Sequence, residues 1–379
     1  MADEVGVLAL VSDDWPAAPQ RRHQILTRLA ATFRVAWISP PRHWRDRAWD
    51  DRHLLAGLPT VDSSRMHVVP SRSGPPTVNW PRVLRNAIYR RRVLRGAAWL
   101  RDRGCTRIEL QLWNPEFAAA IDWVPGASTS YHIDDEYSWS TTERGLSDAE
   151  RDLIKRVDHV YVSSPKLLET KGGINPRTIF SSNGADWRLF ASSAPEPAAL
   201  ARIPRPRAAY VGVLKEQLDL ALLVALATRH SRWSFVLVGP ARRVHPSLRE
   251  PLAQLAALPN VHLLGAESVA SLPGYLQHAD VALLPYRQDA YTDCINPMKL
   301  YEALAAGTPV VGSRIRTLLD FASVISVATG LDEWSAAIAD SLASEQQSDA
   351  RREMRRSAAR SYDWDAITAA IARGISPPD

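Results

Sequence analysis

Short apolar runs of strand length, separated by stretches of helical periodicity, recur along nearly the whole chain, and this alternation restricts the fold more than any other feature. Runs at 5–11, 35–39, 66–69, 107–113, 128–133, 159–162 and 178–180 are interleaved with helical stretches at 20–31, 82–103, 115–121, 148–157 and 165–170. Strands joined by crossovers of this length predict an α/β fold with a parallel sheet covered on both faces. Residues 182–205, rich in Ser, Ala and Pro and poor in periodicity, read as a linker. A second series then begins: strand 208–213, helix 218–227, strands 235–238 and 261–264, helix 268–277, strand 281–284, a helix from 296, and a strand at 310–311. Stretches at 331–342, 351–362 and 362–375 read as closing helices. The 379 residues are enough for two domains, each with its own core.

Several classes of protein drop out on composition. With 46% hydrophobic and 23% charged residues, the chain has the make-up of a soluble globular protein. No stretch approaches the roughly 20 apolar residues of a membrane span. The acidic start, MADEVGVLALVSDDW, lacks a signal-peptide pattern, so a cytoplasmic location is expected. Cys105 and Cys294 are far apart and without ligand spacing, which predicts reduced thiols and no metal site. Neither G-x-G-x-x-G nor G-x-x-x-x-G-K-[ST] occurs, which argues against dehydrogenase and P-loop functions.

Positive charge is concentrated at 82–103, where arginines are interleaved with Val83, Leu84, Ile88, Val93, Leu94, Trp99 and Leu100 and Asp102 is the one acid. A basic amphipathic helix of this kind suits an anionic membrane surface, or a nucleic acid, or a domain helix with a solvated outer face.

In parallel sheets ligands lie beyond the carboxyl ends of the strands, so the loops that follow strands are where chemistry is sought. The 12–24 loop, SDDWPAAPQRRHQ, combines carboxylates, an aromatic ring and two arginines, and reads equally as an acceptor grip or a charged, capped turn. At 131–139, YHIDDEYSW, a strand delivers Asp134, Asp135 and Glu136 together beside Tyr137 and Trp139. Clustered acids repel, which raises at least one pKa and suits a general base, with the aromatic rings as a sugar platform; a helix-capping acidic turn has the same composition. At 210–219 Gly212 permits close approach of a phosphate, with Lys215 as a neutralising cation.

The most informative stretch is 283–313, LLPYRQDAYTDCINPMKLYEALAAGTPVVGS. Asn296 reads as a helix cap, Pro297 as the first helical residue and Gly307 as the stop. Lys299 and Glu302, three apart, share a face. The helix start with Lys299 suits an anion, and Glu302 a pair of hydroxyls, which together suggest a nucleotide. An ordinary strand–helix–strand unit with solvated charges has the same residues.

The run PMKLYEALAAGTPVV resembles the P-x-K-x-x-E-x-L-A-x-G-x-P-V-V signature of nucleotide-sugar-dependent glycosyltransferases of the GT-B architecture, group 1 or family 4 in type. NGADWRLF at 183–190 is similar to the N-G-V-D-x-x-x-F element of the same enzymes. The resemblance implies two facing Rossmann-like domains, with 1–187 binding the acceptor and 188–361 the nucleotide sugar, and with 362–379 crossing back onto the first domain. It also implies that Lys299 serves the diphosphate and Glu302 the ribose, and that no cofactor is required beyond the donor substrate. Eight residues before Glu302, where the retaining pattern has a second Glu, stands Cys294, so the pattern is incomplete here. Pro285, Tyr286, Tyr291, Met298 and Lys299 match in kind the uridine diphosphate loop of the xanthan glucuronosyltransferase family, and Asp135 matches that family's catalytic base, with Asp134 one residue off. The expected activity is therefore transfer from a nucleoside diphosphate sugar, UDP-linked by preference, to a hydroxyl on a lipid-linked or polysaccharide precursor at a membrane surface. A soluble transferase acting on a natural product or nucleic acid, and a non-hydrolysing sugar-nucleotide epimerase, are the alternatives.

Overall fold

The computed structural model describes residues 5–15, 17–39, 52–69, 82–137, 146–241 and 246–375. The chain divides into two compact units, one of residues 1–182 with 365–379 and the other of 183–364. Trp139, expected as part of an aromatic platform, lies outside the described residues.

The first unit is built on strands β1 (Val5–Leu10), β2 (Arg34–Ile38), β3 (Met66–Val69), β4 (Arg107–Leu112), β5 (Ser128–Ile133), β6 (His159–Val162) and β7 (Thr178–Phe180). They form one parallel sheet in the order β3-β2-β1-β4-β5-β6-β7. The second unit carries β8 (Arg207–Val211), β9 (Ser234–Val238), β10 (Val261–Gly265), β11 (Val281–Leu284), β12 (Val310–Ser313) and β13 (Ser326–Ala328), parallel in the order β10-β9-β8-β11-β12-β13. Every residue of β1, β8, β9, β11 and β12 is buried, which is why these strands read as continuous apolar runs rather than as alternations. In both sheets the strand order turns back beside the first strand, between β1 and β4 and between β8 and β11. That switch opens a crevice at the carboxyl ends of the strands.

Two expectations change at the level of elements. The stretch read as a linker is folded: Asp186 caps a short helix, Trp187–Ala191, through Leu189 N at 3.0 Å, and Phe190, Leu200 and Ile203 are buried in the core of the second unit. Its scattered apolar residues anchor turns rather than one periodic face. Conversely, the helix Pro246–Ala257 was not anticipated, because Pro251 interrupts its pattern.

The arginine-rich stretch is a helix, Arg82–Arg101, with Val93, Gly96, Ala97 and Leu100 buried. Its outward residues are not simply basic. Leu84 and Leu94 are 52% and 39% exposed, and Arg91 and Arg95 lie on the same side. Arg92 turns the other way and donates to the carbonyls of Ser39 and, at 3.0 Å, Val69, so it belongs to the fold. No helix among the described residues is long and apolar enough to cross a membrane.

Candidate functional site

The second unit's crevice is walled by the segment after β8 and the segment after β11. Gly212 ends β8 with φ +148°, a conformation open to glycine, and any Cβ there would overlap the Lys299 side chain. Gly239 repeats the conformation at the end of β9, where a Cβ would overlap the carbonyl of Gly212. Two adjacent strand ends thus lack side chains and leave room for Lys299 to lie along the backbone. Its Nζ stands 5.8 Å from the centre of the Tyr210 ring.

Lys299 and Glu302 belong to the helix Met298–Ala306, which ends at Gly307 in the left-handed conformation (φ +82°). Both side chains are half-buried, and among the described residues neither forms a hydrogen bond or ion pair. Burial holds the Lys299 ammonium down at about 8, with Glu302 opposing the shift and Lys215 adding to it. Burial also pushes the Glu302 carboxyl up to about 7 against the pull of Lys299. The Tyr286 phenol is raised too, by burial and then by the nearby Glu302 carboxylate, and the Tyr210 phenol by burial, Tyr286 and Glu302 in that order. A cation and a carboxylate are therefore held in a partly dehydrated wall beside the open first turn of a helix. That set of groups can take an anion at Lys299 and donors such as hydroxyls at Glu302.

The other expected donor residues divide into two groups. Lys215 is exposed but close enough to Lys299 to be felt there. Tyr291 accepts from Gln217 Nε2 at 3.4 Å, which joins the segment after β11 to the one after β8. Tyr286 is buried, and its backbone bridges to Leu218. Met298 is the first residue of the helix. Asn296 does not act as the expected cap, since the cap position is taken by Pro297 without a side-chain bond. Asn296 Oδ1 instead accepts from the Tyr301 hydroxyl at 2.9 Å, and its carbonyl accepts from Asn183. Gly239, Tyr210 and Gln217 were not singled out from sequence, although the FVLVGP run gave β9 a glycine end like that of YVGV after β8.

In the first unit the acids are brought together but not left to repel one another. Asp134 Oδ2 pairs with Arg22 Nη1 at 2.7 Å and Asp134 Oδ1 accepts from the Tyr137 hydroxyl, while Arg22 also pairs with Asp13. Burial works against the Arg22 charge, yet Asp13 and Asp134 outweigh it and its pKa is raised. Glu136 accepts from the buried Lys171 at 2.8 Å. Each of these two acids thus has a counter-cation, so the cluster is not one of bare carboxylates. Asp135 is half-buried, and its Oδ1 accepts from the Glu136 backbone at 2.8 Å. The 12–24 loop is also built inward. Arg21 donates to Ser181 Oγ at 2.8 Å and to the Ser182 carbonyl. His23, buried between Trp15 and Trp37, is held neutral, with its pKa lowered to about 4 by burial.

Two parallel sheets with these strand orders make up the GT-B glycosyltransferase fold. The crystal structure of Anabaena HepE in complex with UDP-glucose matches with a TM-score of 0.71 at 16% identity, over 98% of this chain and 99% of that one. A glycosyltransferase of Rickettsia africae ESF-5 matches with a TM-score of 0.66 at 12% identity, over 98% of both chains. Within the second unit, residues 205–343 match the family Glycosyl transferases group 1. The chain is also 29% identical over 236 residues to a putative teichuronic acid biosynthesis glycosyltransferase, TuaH, of Bacillus subtilis (strain 168). That match covers 59% of this chain and only 57% of the relative, little more than half its length.

Proposed function

We propose that this protein is a glycosyltransferase that moves a sugar from a UDP-sugar to a hydroxyl acceptor, with the donor on the second unit and the acceptor on the first. The observation that carries the reading is the unpaired Lys299 and Glu302 beside the side-chain-free ends of β8 and β9, at the strand-order switch. In this reading the diphosphate lies on Lys299, Lys215 and the N–H groups at the start of the helix Met298–Ala306, and the ribose hydroxyls donate to Glu302. Electrostatic stabilisation of the departing diphosphate is the main catalytic contribution of that site. Asp135 is assigned to the acceptor hydroxyl, as base if transfer inverts the anomeric carbon and as orienting group if it retains. Asp134, fixed by Arg22 and Tyr137, positions the loop. The UDP-glucose bound by HepE supports the choice of uridine.

The acceptor in this reading is a lipid-linked or polysaccharide precursor, reached from an anionic membrane surface through Leu84, Arg91, Leu94 and Arg95. Exposed leucines beside arginines suit an interface that takes apolar groups and attracts cations. Incubation with a panel of UDP-sugars, with product configuration read by NMR, tests the activity. Release of UDP with transfer is expected, with turnover lowered in Asp135→Asn at unchanged UDP affinity. Conversion of donor alone to an epimer would refute transfer. Flotation with vesicles containing anionic lipid should be lost in Arg91→Glu/Arg95→Glu, and equal flotation would remove the membrane.

A further inference from the structure

We propose that a cleft at the carboxyl end of the helix Met298–Ala306 binds a small anion carrying a phosphate group, held between the guanidinium groups of Arg352 and Arg356. The cleft has a volume of about 200 Å3 and is bounded by the segments leading into β11 and β12 and by the helix Asp349–Arg360. Those segments precede their strands, whereas the walls of the Lys299 site follow theirs. The cleft therefore stands at the amino ends of these strands, opposite the Lys299 site.

The helix Asp349–Arg360 places Arg351, Arg352, Arg355 and Arg356 on neighbouring positions of two successive turns. Arg355 is 2% exposed, and its Nε and Nη2 donate to the carbonyls of Gly307 and Gln346, both at 2.8 Å. No carboxylate among the described residues pairs with it, and burial together with Arg352 and Arg351 lowers its pKa to about 10. Carbonyl dipoles offset part of this buried charge, and Arg352 and Arg356 on the same helix line the cleft.

The groups that face the cleft are unevenly satisfied. Gln277 donates to the carbonyls of Phe190 and Ser192, Gln347 to those of Asp280 and Ser341, and the Thr308 hydroxyl to that of Leu276. His278 Nε2 lies 2.9 Å from the Ala194 carbonyl. By contrast, among the described residues Arg356 Nε is buried with no partner, and Arg352 Nη1 lies 3.9 Å from the fully exposed Asp349. Gly307, without a Cβ, lets both arginines lie across the helix end, where a methyl group would overlap the Arg352 stem. Two guanidinium groups with unmet donors match the oxygens of a phosphate, which each can contact with a pair of N–H groups.

Calorimetric titration of inorganic phosphate and of glucose 6-phosphate into the full chain tests the site. Phosphate is also a ligand for the Lys299 end, so the measurements are made in Lys299→Ala. Binding should persist there, weaken at least about tenfold on adding Arg352→Gln or Arg356→Ala, and fall with added salt. Arg352 is half-exposed, so its replacement covers the case in which Arg356→Ala fails to fold. Tighter binding of the sugar phosphate assigns an organic monoester, and equal binding assigns free phosphate. Absence of binding to Lys299→Ala, or affinity unchanged by both arginine substitutions, overturns the proposal.

Discussion

A buried charge network in the first unit and a charged pair in the second are built in opposite ways. In the first, cations are closed in by acids: Arg22 lies between Asp13 and Asp134, and Lys171, 1% exposed, lies between Glu136 at 2.8 Å and Glu150 at 2.9 Å. Glu150 also accepts from the Tyr131 hydroxyl at 3.0 Å. In the second, Lys299 and Glu302 are half-buried on one helix face, without a hydrogen-bond or ion-pair partner among the described residues. A closed network fixes the backbone at the cost of being unavailable to a ligand. An open pair has lost water without gaining a partner, so an arriving diphosphate meets a cation that is already partly dehydrated. Charged residues near strand ends therefore mean different things in the two units.

That contrast can be broken most forcefully at Lys171. Its replacement by Met leaves two buried carboxylates without a cation, and a loss of about 3–5 kcal/mol is expected in urea unfolding; a change below about 1 kcal/mol would show that the network is not structural.

A smaller effect is expected from the titration of the open pair. The Glu302 carboxyl is raised from 4.5 to about 7 in the fold, so its contribution to stability is full below pH 4.5 and is lost as pH rises through about 7. Relative to Glu302→Gln, the wild type should lose on the order of 3 kcal/mol across that window. Lys299, lowered from 10.5 to about 8, has the reverse sign: its contribution is present above pH 10.5 and is lost as pH falls through about 8. UDP affinity should accordingly decline above about pH 8, where the ammonium loses its proton, and Lys299→Arg should remove the decline. A pH-independent affinity in wild type would separate Lys299 from the diphosphate. The smallest effect belongs to Lys215→Ala. This cation is exposed, so UDP binding should weaken by no more than about 1 kcal/mol, read by calorimetry.

All strands but β13 were legible in the sequence as short apolar runs, the fully buried β1, β8, β9, β11 and β12 among them, and β3, β5, β6, β7 and β11 begin and end where the pattern placed them. The helix carrying Lys299 and Glu302 was legible for a similar reason, with apolar spacing and a glycine stop. Local rules misread Asn296, whose side chain finds Tyr301 instead of a helix N–H. They were silent on the pairing of Arg22 with Asp134, which lie 112 positions apart and meet because parallel pairing brings the end of β5 near the loop after β1. The three-residue β13, Ser-Val-Ala, has a single large apolar residue and leaves no pattern, whereas the equally short β7 has two in Ile179 and Phe180. Gly239 acquires meaning only once Gly212 is known to be its neighbour.

The central claim is that Lys299 is an open charge kept for a ligand rather than for the fold. Calorimetric titration of UDP into wild type and Lys299→Ala, with the thermal midpoint of each protein recorded on the same samples, tests it directly. The account predicts a loss of affinity of roughly 10–100-fold with a midpoint unchanged or raised, since a partly buried cation without a partner has been removed. Equal affinity, or a fall in midpoint as large as that of Lys171→Met, would contradict it.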